Sequence, residues 1–600
     1  MSKLLTLMIL IILIKYIANG VCYILKGLWF VIQHPQSFFS DYIFQPVWWT
    51  VKKISNTLTF VVRHPIRASR WLGNSLFFLL KQLNFLVVWI LYTGPIKLWN
   101  YIFQPNFYLK FRAHVFIAII VATPLFVARE YTHFLDEMEN AGMDWIIKIQ
   151  QRFSDIPPSK TRSNFVFIDV DDESRKDWPD QPFTPRNRIT NMINNAVDAG
   201  AKLIIVDVAL SRITPLARGQ MDLAKPATCK EGLLHDDDRE LCGFLGQYPS
   251  NKKDQCRTEE GKDTSKPVCP PIILPRDFTY TDGEVTGIRP SFLEPVVKKD
   301  SFYVQWGTVD FSESADGMQR RQLLWLPVGD GKTIEKSVQL LATVALCGDK
   351  GNLQEKYKNL NNAFQNLEKR ESITLCQTPK LKLETEERYR ESRITYSMGW
   401  KKGGGCKISK LPKYCLSDRE GNYILHVFQA RPFAEKIPLS DFFLEAKEFM
   451  QGSVVVIGGT WDYDGNGGDI HLTPLGKIPG GLVIINAIHS LQQPIKFWPR
   501  VEIWGVHLPW TEIIGLLFFL LILSFFFTVF PSHLEAVLFA GLVVIILLLI
   551  SVKFFGEYGI WIDFVLPAMA VYYYHVVIEI GDSPPQHEHE IANSRQSICG

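Results

Sequence analysis

Two runs near the C-terminus, "IIGLLFFLLILSFFFTVF" from Ile513 to Phe530 and "LEAVLFAGLVVIILLLISV" from Leu534 to Val552, are long and nearly uncharged. Each has the length that a bilayer core demands of a helix. Two weaker candidates accompany them. Residues Ile560 to Ile578 carry Asp563 near the start and His575 near the end, and "AHVFIAIIVATPLFVA" from Ala113 to Ala128 is short and contains Pro124. The expected layout is one transmembrane span at 113–130, three more within 511–580, and a short tail at 581–600. "LLTLMILIILIKYI" at the N-terminus is apolar but lacks a convincing small-residue cleavage site.

Charge sets the orientation. Residues 1–112 hold twelve basic side chains, from Lys3 to Arg112, against the single acid Asp41, and such segments stay on the cytoplasmic side. One span near residue 120 then exports the chain up to about Trp510, and three spans return the tail to the cytoplasm. The net charge of +3 hides this asymmetry. Basic residues mixed with Trp and Phe beside spans suit anionic lipid headgroups, and nucleic acid is not an expected partner. Eight of the ten cysteines (Cys229, Cys242, Cys256, Cys269, Cys347, Cys376, Cys406 and Cys415) fall in the exported part. An even number in an oxidising compartment suits up to four disulfides, whose pairing the sequence leaves open. Zinc finds no C-x-x-C spacing and no histidine at ligand spacing.

The basic N-terminal segment is punctuated by prolines. "FVIQHP" ending at Pro35 returns as "FVVRHP" ending at Pro65, "ILYTGP" ends at Pro95, and "YIFQP" occurs twice, ending at Pro46 and Pro105. This is a helical repeat of about 30 residues. Each proline is expected to start or break a helix. Aromatic and basic anchors suit helices in the cytoplasmic interface, forming a belt that packs subunits together.

Between the spans the pattern is α/β, with a mixed or largely parallel sheet. "NFVFIDVDDES" reads as a buried strand ending in acids. The helix after it is expected to have Thr184 as N-cap, Pro185 as first residue, an apolar stripe of Ile189, Met192, Ile193, Ala196 and Val197, and Gly200 as terminator. "KLIIVDVAL" completes a strand–helix–strand unit, which requires parallel strands and a right-handed crossover. "PPIILP", "YVQWGTVDF", "QLLWLPVG" and "SVVVIGGT" supply further strands, and "KSVQLLATVAL" and "GLVIINAIHSLQQ" supply helices.

The blocks "FIDVDDES", "NAVDAGAKLIIVDVALS", "ADGMQRRQLLWLPVGDGKTIEKSVQLLATVAL" and "GSVVVIGGTWDYDGNGGDIHLTPLGKIPGGLVIINAIHSLQQ" resemble, in order, those of the type-two CHASE domain, a bacterial extracellular sensory module followed by three transmembrane helices. The resemblance covers about residues 155–500 within an exported region of 131–510. It implies a periplasmic sensory fold and, in most members, a cytoplasmic output domain, whereas here the last expected span leads into "GDSPPQHEHEIANSRQSICG". The cysteine-bearing stretches near 215–270 and 348–420 and the N-terminal repeats also depart from the family pattern.

Asp169, Asp171 and Asp207 fall at strand ends, where open α/β sheets place ligand crevices, although Asp at such positions also serves as a cap. The resemblance brings the blocks carrying Asp169, Asp207, Asp469, His471 and Thr473 near one another, and these are the candidate ligand-binding residues. In "DYDGNGGDIHLT", Asp462, Asp464 and Asn466 reproduce the first half of a calcium loop, but the position that needs a bidentate Glu is Thr473. The choice between a calcium site and a plain turn stays open, and no other cofactor is expected. No hydrolase elbow, phosphate-binding loop or metalloprotease helix is present, so catalysis is not expected.

These readings describe a non-catalytic, multi-pass bacterial inner-membrane protein with both termini cytoplasmic. Its expected role is that of a structural or assembly subunit, a homo-oligomer or a partner of other membrane or periplasmic proteins. The alternative is an extracytoplasmic ligand receptor that signals through a separate cytoplasmic protein.

Overall fold

The apolar stripe and the strand patterns resolve into a layered α/β domain. The computed structural model describes residues 105–573 apart from internal stretches, the longer ones being 154–163, 215–228, 257–267, 366–371, 385–390, 401–411, 462–467 and 493–500. The chain divides into two compact units, one of them comprising His133–Glu512 with Ile546–Val565. This larger unit opens with α1 (His133–Phe153), β1 (Phe165–Val170), α2 (Arg186–Asp198), β2 (Leu203–Val206), α3 (Asp236–Gln247), β3 (Ile272–Arg276) and β4 (Val304–Thr308). It continues through β5 (Gln319–Leu323), α4 (Val338–Leu346), β6 (Glu391–Arg393), β7 (Tyr414–Ser417) and β8 (Tyr423–Gln429). It closes with β9 (Val454–Gly459), β10 (Ile470–Thr473), β11 (Gly476–Pro479) and α5 (Gly480–Gln492).

Seven strands form the main sheet in the order β7-β8-β1-β9-β2-β3-β4. All neighbours are parallel except the edge pair β7–β8. Ile168 of β1 lies between Phe428 of β8 and Ile457 of β9, and Ile457 in turn faces Val206 of β2. Because successive side chains alternate across a strand, each strand feeds two cores. Phe165, Phe167, Leu203, Ile205 and Val456 pack with α1, α4 and α5 on one face. Val166, Ile168, Ile204, Val206 and Ile457 pack with α2 and α3 on the other. Parallel strands covered on both faces read as continuous apolar runs rather than alternating ones, which is why "FVFI", "LIIV" and "VVVI" carry no polar residue.

Helix α2 buries the whole expected stripe, from Ile189 to Val197. Its start differs from expectation. Pro185 is the N-cap, the helix begins at Arg186, and no side chain caps it. Gly200 ends it with φ 78°, a conformation open to glycine. Helix α5 is buried all round. Its Asn486 is satisfied internally: it accepts from the Ser397 and Met398 amides at 3.0 and 2.9 Å and donates to the Met398 carbonyl at 2.9 Å.

Disulfides join Cys229 to Cys242, Cys256 to Cys269 and Cys347 to Cys376, with Cα separations of 5.8, 4.9 and 5.7 Å, all in the range a bridge requires. Cys415 is also disulfide-bonded, and Cys406 lies outside the described residues. The three pairs link cysteines adjacent in sequence; all but Cys347 lie within the stretches read as insertions.

The second unit contains helix Pro105–Tyr131, most of helix Trp510–Val529 and the first half of helix His533–Tyr558. Phe107 meets Phe525 edge-on at 6.4 Å and Phe526 meets Phe539 at 5.9 Å. Among the described residues no helix is long and apolar enough to cross a membrane, so the expected spans rest on sequence. The third C-terminal span was expected from Ile560, but Trp561–Phe564 are not helical. Asp563 accepts from the Val565 amide at 2.8 Å, where helical residues begin. Pro105 does start a helix, whereas Pro35, Pro46, Pro65 and Pro95 lie outside the described residues.

Candidate functional site

Parallel strands run their carboxyl ends to a common edge, and loops leaving that edge must diverge, which opens a crevice. Here the residues that follow β2, β3, β4 and β9 enclose a cleft of about 360 Å³. Its walls are Thr184 and Arg186 at the head of α2, Asp207, Val208 and Ala209 after β2, Pro275 and Asp277 around the end of β3, Val309 after β4, Gly459 at the end of β9, and Trp461 and Asp469 beyond it.

The charged groups of the cleft divide by how their hydrogen bonds are used. The Arg186 guanidinium is buried and donates to the carbonyls of Ala209 (2.9 Å), Arg212 (3.3 Å) and Thr184 (3.3 Å). It therefore braces the loop after β2. Burial pulls its pKa down to about 10, with Asp238 and Asp277 opposing, so it stays cationic at neutral pH. Asp207 as a whole is only partly buried, yet its Oδ2 is closed off from solvent and has no hydrogen-bond partner. Burial, reinforced by Asp469 and opposed by His471, pushes its carboxyl up to about 8.

Asp469 and His471 form a pair, with His471 Nε2 2.7 Å from Asp469 Oδ1. The other ring nitrogen is 2.9 Å from Nε2 of Gln319 on β5. The hydrogen bond to Asp469 raises the His471 pKa against its partial burial. Asp469 sits over the first turn of α5, and its backbone carbonyl accepts from the Gly480 amide at 2.9 Å. A Cβ at Gly480 would collide with the Asp469 carboxylate, so the "PGG" motif has a steric cause. Placement at a helix N-terminus also favours a carboxylate.

The remaining expected site residues take other places. Asp169 is buried at the end of β1 and accepts from Thr460 Oγ1 at 2.8 Å. Asp171 caps the short helix Asp172–Arg175, accepting from the amide and hydroxyl of Ser174 at 2.9 and 2.7 Å. Thr473 is buried in the β10–β11 turn, where its hydroxyl donates to the Gly476 carbonyl at 2.7 Å, and it does not line the cleft. Asp462, Asp464 and Asn466 lie outside the described residues, as does the rest of the candidate calcium loop up to Gly467. The cleft thus gathers Asp207 and Asp469, with His471 behind Asp469. Sequence reasoning missed Thr184, Arg186, Asp277 and Trp461. The strand-end rule applied to "PPIILPRD" would have found Asp277. Nothing local marks Arg186 as buried, because two of the three carbonyls that hold it come from the loop after β2.

Residues 116–524 match the CHASE2 domain family. The chain belongs to that family. CHASE2 domains are extracellular sensory modules, so membership supports a sensory role and lends no support to an assembly-subunit role. The cleft lies within the matched CHASE2 region, as do the three described cysteine pairs. No curated protein and no solved structure matches the chain.

Proposed function

We propose that this chain is a membrane-anchored extracytoplasmic receptor whose CHASE2 domain senses a small molecule in the cleft at the carboxyl edge of its sheet. The observation that carries this reading is the Asp207 carboxyl, which lines the cleft with a buried oxygen that no protein donor satisfies. A buried polar atom left unpaired is costly, and a bound ligand would remove that cost. We assign the chain no reaction and no resident cofactor.

Support for the membrane part comes from sequence: the runs 513–530 and 534–552 have the length and composition of spans. Leu542, Ile545, Leu549 and Ile550 on helix His533–Tyr558 are also exposed, as lipid-facing residues are. The large domain would then face the periplasm, and the signal would pass to a separate cytoplasmic protein. A chain of contacts runs from the cleft residue Asp469 through His471 to β5. Gln319 meets His471, while the next residue, Arg320, grips Asp144 of α1 through Nε at 2.8 Å. Helix α1 comes directly after helix Pro105–Tyr131 in the chain.

The test is a thermal-shift screen of small polar metabolites against the full-length protein in detergent, repeated on Ala209→Trp, which fills the cleft from an exposed position. The receptor reading expects stabilising compounds whose effect vanishes in Ala209→Trp. A screen that yields no compound blocked by this substitution overturns it.

A further inference from the structure

The cleft's chemistry narrows the ligand class. Its carboxylates are Asp207, Asp277 and Asp469, and the cation in its wall is Arg186. The Arg186 guanidinium is turned onto three backbone carbonyls, so the cleft presents acids in excess of the positive charge beside them. An anionic ligand would meet like charge at Asp277 and Asp469 and would leave Asp207 un-ionised. A group that donates N–H and carries positive charge would satisfy Asp207 and neutralise its neighbours. Apolar wall from Val208 and Val309 suits a short hydrocarbon body. A volume of about 360 Å³ sits at the small end of ligand pockets. The apolar wall beside these carboxyls matches an organic cation better than a metal ion, which takes oxygen ligands on every side.

We propose that the cleft binds a small alkyl ammonium, with Asp207 as its buried counter-ion. This rests on the receptor reading above and specifies its ligand. Binding has a proton signature. Burial and Asp469, with His471 opposing, hold Asp207 largely protonated at neutral pH; Arg186 and Asp277 are the other charged groups of the wall. An ammonium placed against the carboxyl favours its ionised form, so complex formation releases the Asp207 proton to the buffer while the ligand keeps its own.

The experiment is isothermal titration of the full-length protein in detergent at pH 7 with n-alkylammonium ions from methyl to pentyl. The matched alcohols and carboxylates serve as controls, and the titrations are repeated in buffers of different ionisation heat. Expected are saturable binding of one or more of the ammonium ions and release of close to one proton. Affinity should fall at least tenfold in the near-isosteric Asp207→Asn and be lost in Ala209→Trp. Should Asp207→Asn fold poorly, Ala209→Trp and the proton count on the wild type still decide the matter. Three results each overturn the proposal: no ammonium binds, ammonium binds equally well to both variants, or binding occurs without proton release. Carboxylate or alcohol binding that Ala209→Trp abolishes would overturn the ammonium assignment while leaving the receptor reading intact. That reading fails only if the wider screen finds nothing the substitution blocks.

Discussion

Two aspartates in the same domain show how differently a buried carboxylate can be accommodated. Asp144, on α1, accepts from Arg320 Nε at 2.8 Å and from Arg393 Nη2 at 2.7 Å. Arg320 also holds Asp316 bidentately, with both contacts at 2.7 Å, and Arg393 reaches Asn140. Asp207, in the cleft, has Oδ2 buried with no donor. At Asp144 the counter-charge is built into the fold, and the consequence is mechanical: α1 is pinned to β5 and β6. At Asp207 the counter-charge is left out, and the carboxyl resists ionisation instead. A completed ion network rigidifies the elements it joins, whereas a strongly perturbed carboxyl in a cleft marks a candidate functional site.

The largest expected effect comes from breaking the complete network. Asp144→Ala leaves two buried guanidinium groups without their shared partner and should cost about 3–5 kcal/mol in a urea melt. Replacing the trio together, by Asp144→Leu with Arg320→Met and Arg393→Met, should recover most of that loss, because desolvation of the charges disappears with them. Should the triple variant be as unstable as the single one, the network is not chiefly electrostatic and the contrast with Asp207 weakens.

At Asp207 the sign reverses. A carboxyl whose folded pKa lies near 8 against an ordinary value of 3.8 favours the native state fully below about pH 4, and that contribution is lost as pH rises to about 8. Asp207→Asn should therefore flatten the decline of melting temperature over this window. At pH 8 it should be more stable than the wild type, because the amide has no charge to bury as pH rises. A wild-type profile already flat between pH 4 and 8 would contradict the assignment.

Asp171 lies at the same sheet edge and is satisfied locally as a cap, so Asp171→Ala should cost about 1 kcal/mol in stability. Titrations of the cleft should be unchanged by it. Smallest of all is His471→Gln. His471 gains a raised pKa from Asp469, so its contribution is fully present below pH 6.5 and lost as pH rises through the folded value. Both partners are partly exposed, with side-chain accessibilities of 32% and 46%, so the loss below pH 6.5 should stay under about 1 kcal/mol. Above that pH the variant should converge on the wild type.

Much of the scaffold was legible because it depends on neighbours in sequence. Uninterrupted apolar runs such as "FVFI" and "VVVI" can be buried on both faces only in a parallel sheet, and the stripe from Ile189 to Val197 can face only one way on a helix. Gly200 stops α2 for a reason internal to one residue. The strand-end acids were visible for the same reason, and so was the resemblance that pointed to the CHASE2 family. The helix start was missed by one residue because Pro185 suits either side of the boundary. Neighbours in sequence do not reveal what each acid meets. Asp144's two arginines lie 176 and 249 residues away, Asp169's hydroxyl partner lies 291 residues away, and Thr473 was absorbed by its own turn. By itself the sequence determined the α/β class, the parallel strand–helix–strand unit, the even count of cysteines between the apolar runs and those runs themselves, since each depends on residue type and short-range spacing. The tertiary structure alone decided which cysteines pair, that Arg186 is committed to carbonyls, and that Asp207 stands beside Asp469 without a donor. Burial and charge balance are properties of three-dimensional neighbourhoods, and those form only when distant segments meet.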